Sequence, residues 1–366
     1  MAKGIYVGVD NTAKKVSKVY AGIDNVAKKV TKGYVGVGNV ARPFMSSESV
    51  LQYYGITTNL SVARYRFAAT SVGNYALFGG GYSSTYVNTV DAYNTTLTRS
   101  TPPALSSARA NFAATTVGNY ALFGGGFVGA VRSNVDAYNT TLTRSTPTAL
   151  SVARGYLAAT TVGDYALFGG GSSFGNKVDA YNTTLTRSTP TALSVARGYL
   201  AATTVGNYAL FGGGYNSSDK NTVDAYNATL TRSTPTALSV ARSDLAATTV
   251  GDYGLFGGGS SSGNTVDAYN TTLTRSTPTA LSVARGYLAA TTVGDYALFG
   301  GGSSSTNGLP MNVVDVYNTT LTLSIPTALN AARSRLVAAS IGDYALFGGG
   351  INAGRLNIVD AYVTTS

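Results

Sequence analysis

The chain has 366 residues, 44% of them hydrophobic and only 11% charged, with a net charge of +10. That length exceeds one compact core unless the fold is an array, and so low a charge content points to a β- and turn-rich chain with an uncharged polar surface. There is no Cys, His or Trp, which excludes disulfides and metal sites built on thiolate or imidazole.

The first segment repeats with a period of 14: "YVGVDNTAKKVSKV", "YAGIDNVAKKVTKG" and "YVGVGNVARPF" begin at Tyr6, Tyr20 and Tyr34. Each alternates apolar and small residues, turns at "DN" or "GN" and runs back. The pattern predicts three hairpins forming a small β-meander, a basic module over residues 1–45. This module holds seven Lys and Arg42 against Asp10 and Asp24, so +6 of the total +10 resides here. Three hairpins bury little, so the module is expected to need a partner or an oligomer. Lys14, Lys15, Lys28 and Lys29 are its candidate anchoring residues. They suit docking or solubility rather than nucleic acid, because no aromatic-plus-basic groove accompanies them. No apolar run is long enough for a signal-peptide core or a membrane span, so neither ordinary secretion nor membrane insertion is expected.

These tandem hairpins, ahead of a repeat domain, resemble N-terminal modules of bacteriophage and prophage tail-associated structural proteins. The resemblance covers residues 3–44. It implies that residues 1–45 dock onto other virion structural proteins, and that the chain is made in a host cytoplasm and resides in the virion. Without it, the expectation is a bacterial cell-surface or extracellular protein.

From residue 46 to 366 a longer repeat takes over. Triple glycines begin at 79, 124, 169, 212, 257, 300 and 348. Each unit also has an Ala-Arg pair, with arginines at 64, 109, 154, 197, 242, 285 and 333, and a "VDAY" or "VDVY", with aspartates at 91, 136, 179, 224, 267, 315 and 360. Within one unit (153–194), four strands are expected: around "YLAATTV", at "YALF" after a "GD" turn, at "KVDAYN", and around "TLTRST" before a Pro. Four strands at this period point to a propeller blade. "AATT" supplies the small side chains of an innermost strand, and "YALF" is apolar on both faces, as a strand between two blades must be. The last unit stops after its third strand, whereas "VLQYYGITTNLSVAR" (50–64) looks like an orphan fourth strand. The prediction is an all-β, seven-bladed β-propeller over 46–366, sealed by pairing residues near 50–56 with residues near 357–363.

Strand, Gly-Gly, then an acidic residue and Tyr on the next strand resembles the Kelch repeat. The Trp that Kelch units carry on the fourth strand is absent, and Leu97, Leu142, Leu185, Leu230, Leu273 and Leu321 occupy that region. The set is a divergent Kelch-like one, and the resemblance implies a binding scaffold rather than a particular partner.

Catalysis is not expected. A copper radical oxidase on a Kelch scaffold needs His and Cys, and a sialidase-type propeller carries Asp-boxes ending in Trp. The only Glu is Glu48, and seven of the aspartates belong to the repeat. A residue present in every blade is structural, and each repeated Arg is expected to pair with a repeated Asp in a partly buried site. "GGG" lacks the helix start and Lys of a phosphate loop, so the glycines are backbone devices. The "NTT" and "NAT" triplets match glycosylation acceptors, but Asn as a turn former explains them. Neither cofactor nor metal is implied.

Variation is confined. The segments after the glycines differ ("YSSTYVNT", "FVGAVRSN", "SSFGNK", "YNSSDKNT", "SSSGNT", "SSSTNGLPMNV", "INAGRLNI"), as do those after the repeated Arg ("YRF", "ANF", "GYL", "GYL", "SDL", "GYL", "SRL"). Antiparallel strands place both sets on one face of the disc. Candidate contacts there are Tyr82, Tyr86, Phe127, Arg132, Phe174, Tyr215 and Arg355. Tyr156, Tyr199 and Tyr287 are expected around the channel mouth, with Arg66, Asp244 and Arg335. A constant scaffold with one varied face is expected to bind a host-surface glycan or protein.

Overall fold

The computed structural model describes residues 49–365 apart from 173–174 and 261–262, and the strands within residues 6–46. Seven four-stranded sheets form the blades of a β-propeller, and no helix occurs among the described residues. The third blade shows how the sequence builds one. Ala158–Val162 pairs antiparallel with Tyr165–Gly169, which pairs with Val178–Asn182 and so with the outer Arg187–Ser188. The two-residue loop between the first pair opens on Gly163 at φ 51°, as a type II′ hairpin requires.

The outer strand is shorter than the sequence suggests: two residues, not the whole of "TLTRST". The preceding turn consumes the backbone donors. The amides of Thr184 and Thr186 both donate to Asn182 Oδ1 at 3.1 and 2.9 Å, and Leu185 sits at φ 62°. Six consecutive units repeat this Asn-centred turn.

The core lies between blades. Strand alternation sends Leu122 of "YALFG" toward the third blade, while Ala121 and Phe123 face the first. Seven apolar clusters result, each joining consecutive blades, and one unites Phe78 and Tyr93 of the first blade with Leu346, Val359 and Ala361 of the last. The repeated Tyr also reaches across: Tyr138 Oη donates to Pro103 O at 2.7 Å, and each blade has an equivalent bond.

The triple glycine follows from this packing. A Cβ on Gly124 would stand 2.7 Å from the Phe168 ring of the next blade, and one on Gly125, at φ 76°, would stand 2.6 Å from the Arg154 carbonyl. Neither approach tolerates a side chain. The third glycine amide of each blade donates to the next blade's repeated Arg carbonyl, and Gly350 closes the circle onto Arg64 at 2.9 Å.

The last blade takes its fourth strand from Val50–Thr57, hydrogen-bonded to Val359–Thr365. Tyr53 Oη donates to Asp360 Oδ1 at 2.6 Å, and its ring lies 5.2 Å from that of Tyr362. The expected closure is therefore present.

Every repeated Arg meets a repeated Asp of its own blade, at 2.5–2.8 Å, with both side chains at most 2% exposed. The Asp also accepts a backbone amide, from Ser194 for Asp224 at 2.9 Å, while the Arg donates to the Phe211 carbonyl at 3.0 Å. A second cation, not anticipated from the sequence, flanks five of these carboxylates: Arg99, Arg144, Arg187, Arg232 and Arg275, each about a quarter exposed. The sixth blade has Leu323 at this place, and in the seventh the Tyr53 hydroxyl takes it over.

Contacts divide the chain into two units, Met1–Val50 with Thr365–Ser366, and Leu51–Thr364. The first contains three antiparallel hairpins: Tyr6–Val9 with Thr12–Lys15, Tyr20–Ile23 with Val26–Lys29, and Lys32–Val37 with Val40–Ser46. Each is a sheet of its own. No ladder among the described residues joins one hairpin to the next. Lys14, Lys15, Lys28 and Lys29 lie on their return strands, opposite Val7, Tyr6, Ala21 and Tyr20.

Candidate binding face

The loop leaving each second strand and the approach to each first strand meet on one face. Bridges tie the residue after the glycines to the residue after the repeated Arg: Tyr82 to Tyr65, Phe127 to Ala110, Tyr215 to Gly198 and Ile351 to Ser334. Inside these bridges, two residues beyond each Arg, lies the channel mouth. Its positions are Arg66, Asn111, Tyr156, Tyr199, Asp244, Tyr287 and Arg335, all at φ between 54° and 56°.

Their backbones form a closed circle. Each amide donates to the carbonyl of the equivalent residue one blade back, from Asn111 onto Arg66 at 2.9 Å round to Arg335 onto Tyr287 at 2.9 Å, and Arg66 onto Arg335 at 3.3 Å completes it. Left-handed backbone costs a non-glycine residue of order 1–2 kcal/mol, and this circle holds it seven times. Elsewhere among the described residues, most positive-φ positions are Gly. Apart from Ser217, the chain's other described non-Gly residues at positive φ are the six turn leucines, Leu97 among them, which use their side chains in the interblade core. The mouth likewise keeps side chains at positions where the backbone is left-handed, at a cost in backbone strain.

The mouth side chains interact. The rings of Tyr156 and Tyr199 lie 4.4 Å apart at 31°, and the Arg335 guanidinium sits 4.5 Å from the Tyr287 centroid. Burial pushes the Asp244 carboxyl up to about 6, against the opposing pull of the Tyr287 hydroxyl, Arg335 and Arg66. Burial likewise raises Tyr199, to about 12. Beneath the mouth a channel of about 400 Å³ is lined by Ala, Thr and Ser of the innermost strands. Threonines bridge its blades, as Thr115 to Thr161 at 2.9 Å and Thr203 to Thr249 at 2.8 Å. The channel wall is nearly uniform, whereas the mouth is not.

Two recesses flank the mouth. One, of about 310 Å³, is lined by Tyr65, Arg66, Tyr82, Tyr86, Ala110, Asn111, Phe127 and Tyr156. The other carries Tyr199, Tyr215, Asp219, Ser243, Asp244, Ser260 and Tyr287. Ser243 and Ser260 both donate to Asp219, at 2.8 and 3.2 Å. Arg66, Arg335 and Arg355 therefore lie toward the first recess and the last blade, and Asp219 and Asp244 toward the fourth and fifth.

The sequence-expected residues fall on this face as follows. Tyr156, Tyr199, Tyr287, Arg66, Asp244 and Arg335 occupy the mouth, and Tyr82, Tyr86 and Phe127 line the first recess. Tyr215 is 45% exposed on a two-residue hairpin strand. Arg355 is exposed, with its guanidinium 6.0 Å from the Tyr82 centroid. Arg132 is turned back into its own loop, donating to Val128 O at 3.2 Å. Phe174 lies outside the described residues. Asn111 was missed. Its signal was position: it is the middle residue of "ANF", where the other units show Arg, Tyr or Asp.

Among the described residues no cluster of three or more His, Cys, Asp or Glu is placed to hold a metal ion. No helix is long and apolar enough to cross a membrane. No protein-family model matches the chain, and no curated protein is significantly similar to it.

Proposed function

We propose that this is a non-enzymatic recognition protein whose propeller binds a ligand through the mouth face. One observation carries the reading: seven equivalent, strained positions around the mouth bear four kinds of side chain, while the scaffold beneath repeats nearly verbatim. An enzyme needs one set of groups converging on one bond. This mouth instead spreads Tyr, Arg, Asn and Asp around a rim, a composition suited to adaptable hydrogen bonding and stacking on a glycan or polar protein surface.

The particle context comes from the N-terminal hairpins alone. On their resemblance to phage tail-associated modules, the protein is a virion structural component, in the tail or on the surface. Residues 1–45 dock it there, and the Kelch-like propeller is displayed to a host. The test is sedimentation of the full chain with assembled particles, against a chain in which Lys14, Lys15, Lys28 and Lys29 are changed to Ser. Loss of association in the variant, with host-cell binding kept, is expected. Binding to cells with no particle association in either chain would replace the virion reading with a bacterial surface-binding propeller.

A further inference from the structure

We infer that the recess between the first and second blades is a subsite for a carboxylate-bearing sugar, such as a uronic or sialic acid. This rests on the reading of the mouth face as a binding face and names the ligand class for one part of it.

Four aromatic rings build the recess as a connected chain. Tyr65 and Tyr82 lie 5.8 Å apart, Tyr82 and Tyr86 5.1 Å, and Tyr86 and Phe127 6.2 Å, the last pair crossing from one blade to the next. The scaffold does not require them. At the paired positions corresponding to Tyr65 and Tyr82, the third blade has Gly155 and Ser172, the fifth Ser243 and Ser260, and the sixth Gly286 and Ser303. All four rings are only half-buried, so they still present apolar surface to solvent.

The polar groups around these rings are cationic or neutral. Arg66 stands 5.5 Å from the Tyr65 centroid and Arg355 6.0 Å from that of Tyr82. Neither guanidinium forms an ion pair among the described residues. Asn111 adds an amide that both donates and accepts. No carboxylate lines this recess. Aromatic surface takes the C–H faces of a pyranose, Asn111 takes hydroxyls, and a guanidinium takes a carboxylate in a bidentate fork. The volume of about 310 Å³ falls at the lower end of small-ligand sites, about 300–1,000 Å³, which fits a terminal sugar or a short stretch of chain.

The test is calorimetric titration of the full chain with three probes: an oligoglucuronate, an oligosialic acid, and a neutral gluco-oligosaccharide of matched length. At least one acidic probe is expected to bind at least tenfold more tightly than the neutral one. Arg66→Asn keeps a residue tolerant of positive φ, as Asn111 already shows, and should weaken that binding about tenfold. Tyr86→Ala should do the same without changing the melting temperature by more than a degree or two. Inorganic sulfate at equal ionic strength should not compete, because it offers no ring to stack. Equal binding of the neutral probe, indifference to both substitutions, or no binding of either acidic probe would overturn the assignment. In that last case, cell binding that is abolished by Tyr199→Gly would leave the recognition reading standing without this ligand.

Discussion

Replacing Arg197 by Ala tests the buried charge framework most severely. Its guanidinium and the Asp224 carboxylate are both fully buried, 2.8 Å apart. The same guanidinium donates to the carbonyls of Phe211 at 3.0 Å and Val195 at 2.9 Å. Removal leaves Asp224 with the Ser194 amide and a longer contact to Arg232 at 3.3 Å. Breaking one partner out of a buried pair costs about 3–5 kcal/mol, and the vacated side-chain volume adds a cavity term. For a domain of about 300 residues, an unfolding entropy near 2.1 cal/mol/K per residue gives roughly 0.6 kcal/mol per kelvin, so a melting temperature about 6 °C lower is expected. The internal control is Arg232→Leu, the change that the sixth blade already carries as Leu323. The outer Arg is 26% exposed, and such partly solvated pairs contribute about 0–1 kcal/mol. Scanning calorimetry of both variants decides. A shift under 1 °C for Arg197→Ala, or equal shifts for the two, would refute the reasoning.

Further outcomes follow from other sites. Gly212→Ala places a Cβ about 2.7 Å from the Phe256 ring, and should destabilise by about 1–3 kcal/mol through overpacking, read by denaturant unfolding. Deleting residues 1–57 removes the strand that seals the last blade, and should leave the remainder aggregating or proteolysed where the intact chain resists. Because burial raises Asp244 to about 6 from 3.8, the folded state holds a proton that the unfolded chain releases between these values. Stability contributed by this group is therefore full below about pH 4 and falls as pH rises to about 6. Asp244→Asn should then raise the melting temperature at pH 8 and leave it unchanged below pH 4. The same titration makes the mouth more positive at pH 5 than at pH 7.5, so an anionic probe should bind more tightly at the lower pH.

Much of the fold was legible because it is written seven times. Period, blade number, the Arg–Asp pairs and the borrowed closing strand each follow from counting residues. The outer strand was overread at "TLTRST". Its β-branched residues suggest extension, but Asn182 and its equivalents draw the amides into a turn, and this also hid the second arginine on five of the carboxylates. The strained mouth circle carries no sequence signal of its own, since positive φ is normally announced by Gly or Asn and only Asn111 obliges. The aromatic recess was half-visible: Tyr82, Tyr86 and Phe127 stood out as unusual loop residues. Their meeting with Tyr65 and Asn111 depends on two blades lying side by side.

The measurement that bears most directly on the account is a paired one on a Tyr156→Gly, Tyr199→Gly, Arg335→Gly variant of the full chain. Gly suits the left-handed backbone these residues adopt, so the ring should melt at the same temperature or higher, while binding to host cells or to an acidic glycan is lost. Undiminished binding by a stable variant would contradict the claim that the mouth is what this protein uses.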